Sequence, residues 1–230
     1  MIGNKAGIND FIFPALLIVL LGLWSCVSTT PGSEGKRWLC NDQADKAVTD
    51  GDWEQALLRH QAFLVANPDN CLAIYHLGYI WGRLGDRDKE IEQSERAAAC
   101  GYDKDDQLYF NLGMAYAQVD QKANAITAFE RAIALNPQNA DNHFGLGLTA
   151  FSAGHPDLAR RALAKAVEVD PRHWDARIEL ARIDLDQGRL DQARIQLEAV
   201  QRGAPDHEAL QDLWRIYHDR QITAFDSEKK

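Results

Sequence analysis

The sequence predicts an all-α chain of stacked helix-turn-helix units, and two observations carry that prediction. Pro137, Pro171 and Pro205 recur at intervals of 34 residues, and Pro68 lies 69 residues before Pro137. Between two such marks, the stretch 106–139 reads as two short helices joined by a polar turn, each with one apolar face. Neither helix can bury that face alone, so the segment makes sense only as one member of a stack.

The best-formed unit fixes the register. Counting Asp106 as its first position, Tyr109, Leu112, Gly113, Tyr116, Ala125, Phe129, Ala132 and Pro137 occupy positions 4, 7, 8, 11, 20, 24, 27 and 32. This pattern resembles the tetratricopeptide repeat family. The resemblance implies a right-handed α-solenoid of about five units plus a C-terminal capping helix. Small residues at positions 8, 20 and 27 let helices approach, and large ones at 4, 7, 11 and 24 fill the space between them. The proline ends the second helix, because its ring clashes and it lacks a donor.

The first 26 residues differ from everything after them. An apolar run from Phe11 to Trp24, containing Pro14, follows a polar start with Lys5 and Asp10. At about fourteen residues it is short for a membrane span and suits the apolar region of an export signal. Its end, Leu23-Trp24-Ser25-Cys26, resembles the lipobox of bacterial lipoproteins, although Trp24 is bulkier than that pattern prefers. That resemblance implies lipidation of Cys26 and attachment to a membrane of the bacterial cell envelope, facing the periplasm. Val27 after the cysteine favours the outer membrane. A conventionally cleaved signal and an uncleaved anchor are the alternatives. Residues 27–36, rich in turn formers, read as a flexible tether.

Five units follow, at 37–70, 71–105, 106–139, 140–173 and 174–207. The fourth keeps His143, Leu146, Gly147, Ala150, Ala159, Leu163, Ala166 and Pro171. The fifth keeps Leu180, Ala181, Gly188, Ala193, Leu197, Val200 and Pro205. The second keeps Ile74, Leu77, Gly78, Trp81, Gly85 and Ala97 but departs at Glu90 and Ser94 and lacks the closing proline. The first is the weakest, with His60 and Phe63 at positions 24 and 27. Beyond Pro205, Leu210, Leu213, Trp214 and Tyr217 mark one face of a capping helix over 208–222, followed by a charged tail at 223–230.

Cys40, Cys71 and Cys100 remain after Cys26. Cys71 begins the first helix of its unit and Cys100 ends the second, so an antiparallel pair sets them side by side. A Cys71–Cys100 disulfide, three buried thiols and a bridge using Cys40 are all open. Export to an oxidising compartment would favour a bridge.

Chemistry is sparse. The seven histidines include no pair four residues apart, and no metal-ligating or nucleophile motif stands out, so neither a metal site, a cofactor nor a catalytic residue is expected. A net charge of −9 and a pI near 5.2 argue against a nucleic-acid surface. The family resemblance implies a concave face lined by positions 2, 5, 9 and 12 of the first helices. Those positions and their neighbours give Leu72, Tyr75, Tyr79, Phe110, Asn111, Met114, Phe144, Leu148, Phe151, Ile178, Leu185 and Arg182, with Asn41, Asp45, Asp141 and Asp175 on a polar edge. Some relatives clamp a carboxylate with Lys and Asn at positions 5 and 9. Here those positions hold Asn41 and Asp45, so an extended or helical segment with apolar anchors fits better. Internal packing is the competing explanation of the same apolar residues. The expectation is a non-enzymatic scaffold that binds a protein or peptide partner at a lipid-anchored surface; the alternative is a structural subunit that associates through its terminal repeats.

Overall fold

The computed structural model describes Leu39 and residues 41–228, with side chains described through Thr223. The export signal, Cys26, the tether and Cys40 lie outside the described residues.

Eleven helices and no strands are present among the described residues. They are α1 (Asp42–Asp50), α2 (Trp53–Ala66), α3 (Cys71–Leu84), α4 (Arg87–Cys100), α5 (Asp106–Gln118), α6 (Lys122–Leu135), α7 (Ala140–Ser152), α8 (Pro156–Val169), α9 (Trp174–Asp186), α10 (Leu190–Gly203) and α11 (Leu210–Glu228). The first helices of units two to five begin at the residues the repeat register names: Cys71, Asp106, Ala140 and Trp174.

Local chemistry explains these boundaries. Asn41, Asp52, Asn70, Asp86, Asp105 and Asn139 each precede a helix and accept a hydrogen bond from a backbone N–H in its first turn. α8 has no side-chain cap and instead starts at Pro156, whose missing N–H costs nothing there. Inner turns close with a left-handed residue: Gly51, Gly85, Gly154 and Gly188, and in the 106–139 unit Asp120 at φ 61°. Pro68, Pro137, Pro171 and Pro205 follow the ends of α2, α6, α8 and α10 within two residues.

The described residues divide into two compact bodies, one up to Gln121 and one from Lys122 onward. In the N-terminal body, α1 packs on α2, α2 on α3, α3 on α4 and α4 on α5. Its apolar core gathers Leu64, Ala73, Ile74, Leu77, Ala97 and Leu108, with a smaller cluster of Ala47, Ala56 and Ile80. In the C-terminal body the same nearest-neighbour order runs from α6 to α11. One of its cores joins Ala150, Ala159, Leu163, Ala166, Leu180 and Ile183, and another joins Ala181, Ala193, Leu197, Val200, Leu210, Leu213 and Tyr217. Each body is thus built from helical hairpins stacked as in an α-solenoid, where a unit touches mainly its neighbours.

The last helix covers α9 and α10 with the predicted face of Leu210, Leu213 and Tyr217. It continues to Glu228, beyond the predicted end at 222, so helix replaces much of the expected tail. Arg220 helps hold it: its guanidinium donates to the Leu185 carbonyl at the end of α9 and, at 3.0 Å, to Asp186. A cation there satisfies an orphan carbonyl and complements the helix dipole.

Candidate interaction face and a buried histidine cluster

The residues predicted to line a binding face divide into two sets once packing is known. Phe144 and Ile178 are 6% and 2% exposed and belong to the apolar cores of the C-terminal body, and Leu185 is buried as well. For these three, internal packing is the correct reading. Sequence spacing could not separate them, because core and face positions on one helix are only a few residues apart.

Leu72, Tyr75, Tyr79, Phe110, Asn111, Met114, Leu148 and Arg182 keep partial exposure, and Phe151 is 38% exposed. Several have intramolecular contacts as well. Tyr75 stacks on Tyr102 with centroids 4.4 Å apart, and the Tyr102 hydroxyl donates to Asp105 at 2.6 Å. Burial, reinforced by the Asp105 carboxylate, pushes both phenols well above the usual tyrosine range. Tyr79 meets Trp53 edge-on at 6.0 Å, and Arg83 sits over the same Trp53 ring. Asn111 accepts from the Gln107 side chain at 2.9 Å. Arg182 pairs with Glu179 at 3.2 Å, and burial raises the Glu179 carboxyl above its ordinary value.

Cys71 and Cys100 are joined by a disulfide, with Cα atoms 5.4 Å apart. It ties the start of α3 to the end of α4, the two ends that antiparallel packing sets together.

A third grouping has no local sequence signature. Asp45 of α1, His60 of α2 and His76 of α3 converge. Asp45 Oδ1 lies 3.0 Å from His76 Nδ1 and 3.5 Å from His60 Nε2. The two imidazoles meet edge-on with centroids 5.0 Å apart. Leu39, Asn41, Phe63, Leu72 and Ala73 complete the lining of the small pocket around them. His60 is 1% exposed, and burial, aided by His76, lowers its pKa to about 4 against the opposing pull of Asp45. Motif spacing reveals ligands only where they share one chain segment or helical face. These come from three helices, about fifteen residues apart, and only the tertiary fold brings them together.

Residues 107–139 and 150–214 match the pattern described as "Tetratricopeptide repeat". The chain contains tetratricopeptide repeats. Cellulose synthase operon protein C of Escherichia coli strain K12 is 31% identical over 103 residues, covering 39% of this chain. The chain spans only 9% of that relative's length. Human tetratricopeptide repeat protein 28 is 25% identical over 97 residues, 42% of this chain and 4% of its own length. Among solved structures, MamA superposes with a TM-score of 0.68 at 28% identity, covering 72% of this chain and 96% of MamA. YrrB, described as a TPR protein with an unusual peptide-binding site, superposes at 0.69 with 21% identity over 76% of this chain and 89% of its own, a likeness of fold alone. Repeats of this kind generally serve as interaction modules, so they support a protein–protein interaction scaffold with protein or peptide partners.

Proposed function

We propose that this chain is a non-enzymatic scaffold of the bacterial envelope. It is held to a membrane by lipid on Cys26 and grips an extended or helical partner segment through exposed apolar positions on the first helices of its repeats. The observation that supports the reading most is that Tyr79 and Phe151 stay partly exposed at repeat positions 9 and 12, while the core of each body is already filled by other residues. Apolar surface that the core does not need suits a docking face. The lipid would raise local concentration at the membrane without adding contacts to the partner.

Two experiments test the two halves. A photo-crosslinking residue placed at Tyr79 or Phe151 in the native host should capture one defined partner, and the same residue at exposed Arg215 on α11 should not. Capture from Arg215 alone would replace the face with association through the terminal repeat. Separately, Cys26→Ser should abolish incorporation of labelled fatty acid and release the protein from the membrane fraction. Unchanged labelling would refute lipidation at that residue.

A further inference from the structure

The Asp45–His60–His76 cluster is not explained by packing. Buried polar atoms in folded proteins are nearly always hydrogen-bonded. Here Asp45 Oδ1, His60 Nε2 and His76 Nδ1 are buried, lie close together, and none makes a hydrogen bond of acceptable geometry among the described residues. Distance is not the obstacle, since the Asp45–His76 separation is 3.0 Å. The atoms are within reach of one another, yet their geometry is not that of a hydrogen bond.

That arrangement has the dimensions of a cation site. All three atoms lie within 4.8 Å of one another, and Asp45 is 3.0 Å from His76 and 3.5 Å from His60. Ligands about 2.0–2.1 Å from a tetrahedral zinc ion are spaced by about 3.3 Å, so small side-chain adjustments bring the set into range. Two imidazoles and a carboxylate are a donor set that suits zinc and similar divalent transition ions. The enclosing pocket is too tight for a free water molecule, whereas a bare cation is smaller and bonds directly to the donors.

We propose that Asp45, His60 and His76 bind a zinc-type divalent cation, and that this ion pins α1 to α2 and α3. α1 has nine residues and buries only Ala44 and Ala47, so it is too short to be stable by itself. One ligand from each of three consecutive helices makes the ion a cross-link at the N-terminal end of the described chain. Its role is structural, and it is independent of what the interaction face binds.

The test uses the full chain without a histidine tag, stripped with a chelator and titrated with Zn2+ against a chromophoric competitor. Binding of one equivalent is expected, together with a rise in the melting temperature. Co2+ in place of Zn2+ should give a visible d–d absorption stronger than that of the aqueous ion, as expected for low coordination. Asp45→Asn and His76→Gln, both at partly exposed side chains, should each weaken binding by at least about tenfold and reduce the thermal shift. His155→Gln, an exposed control on another hairpin, should change neither. Equal Zn2+ affinity in wild type and in the Asp45→Asn/His76→Gln double variant would overturn the proposal, as would absence of the tight equivalent from a wild-type chain that melts cooperatively.

Discussion

At two repeat slots the N-terminal body buries polar side chains where the C-terminal body has only apolar ones. At position 24 the N-terminal body has His60 and Ser94, whereas the C-terminal body has Phe129, Leu163 and Leu197. All five are 2% exposed or less. Position 20 tells a similar story: Glu90 is buried in α4, where α2, α6, α8 and α10 have fully buried alanines. The slot must be filled either way, since the fold sets the spacing between helices. What differs is how the filling is stabilised. Leu163 packs against Gly147, where a Cβ would come within 2.6 Å of its side chain. Glu90 instead meets Arg87 at 2.5 Å and lies against Gly82. The N-terminal body also contains a covalent cross-link, Cys71–Cys100, in the same hairpin as Glu90 and Ser94. Two of the deviations, Glu90 and Ser94, therefore share a hairpin with the cross-link.

Removing the cross-link is the strongest way to test that difference. Reduction, or Cys100→Ser, should lower the stability of the N-terminal body by roughly 3–4 kcal/mol, the chain-entropy value for a loop of about 30 residues. Denaturant unfolding followed by hydrogen exchange should show the loss in α3 and α4 and leave α7 to α10 unchanged. Truncation at position 24 comes next. Leu163→Ala should cost about 3 kcal/mol through lost burial and a cavity. Ser94→Ala, at the equivalent slot, should cost less than about 1 kcal/mol. Equal penalties, read from paired denaturation curves, would mean the slots are energetically alike.

Smaller effects concern the turns and the buried carboxylate. Gly188 has φ 73° and open space where a Cβ would sit. Gly188→Ala should therefore cost only the left-handed backbone penalty, about 1 kcal/mol, seen as a modest fall in melting temperature. Glu90 should show itself through pH. Burial raises its carboxyl above the ordinary value, and Arg87 offsets this in part. A raised folded pKa favours the folded state at pH below the unfolded value of 4.5, and that contribution fades as pH rises through the folded value. Glu90→Gln has no such titration. Its melting temperature relative to wild type should climb as pH rises from about 4.5 toward neutrality, and a flat difference would show that Glu90 is solvated.

Much of the fold was legible because the repeat is a local pattern with long-range consequences. Gly113, Ala125, Ala132 and Pro137 mark close approaches and a helix end that depend on residue size and backbone chemistry. The inner turn of that unit was less legible. Asp120 takes the left-handed place that glycine occupies in the other units, since a short polar side chain tolerates it. The length of α11 was also hidden: the stretch after Ile222, with only Ala224 and Phe225 apolar, is too short to show helical periodicity, and Arg220 anchoring on α9 is a tertiary contact. On the predicted face, helical periodicity put Phe144 and Phe151 together. Their different burial depends on the neighbouring helix that covers one and leaves the other exposed.

The sequence by itself determined the all-α class, the starts of the first helices in four units, the capping face of Leu210, Leu213 and Tyr217, and the closeness of Cys71 to Cys100. Each follows from spacing along a helix or from the antiparallel return of one hairpin. Only the tertiary structure decided which apolar face residues are core, how Glu90 and Ser94 are accommodated, and that Asp45, His60 and His76 meet. Those depend on side chains from different helices competing for the same volume. A pattern read along one chain segment does not contain that competition.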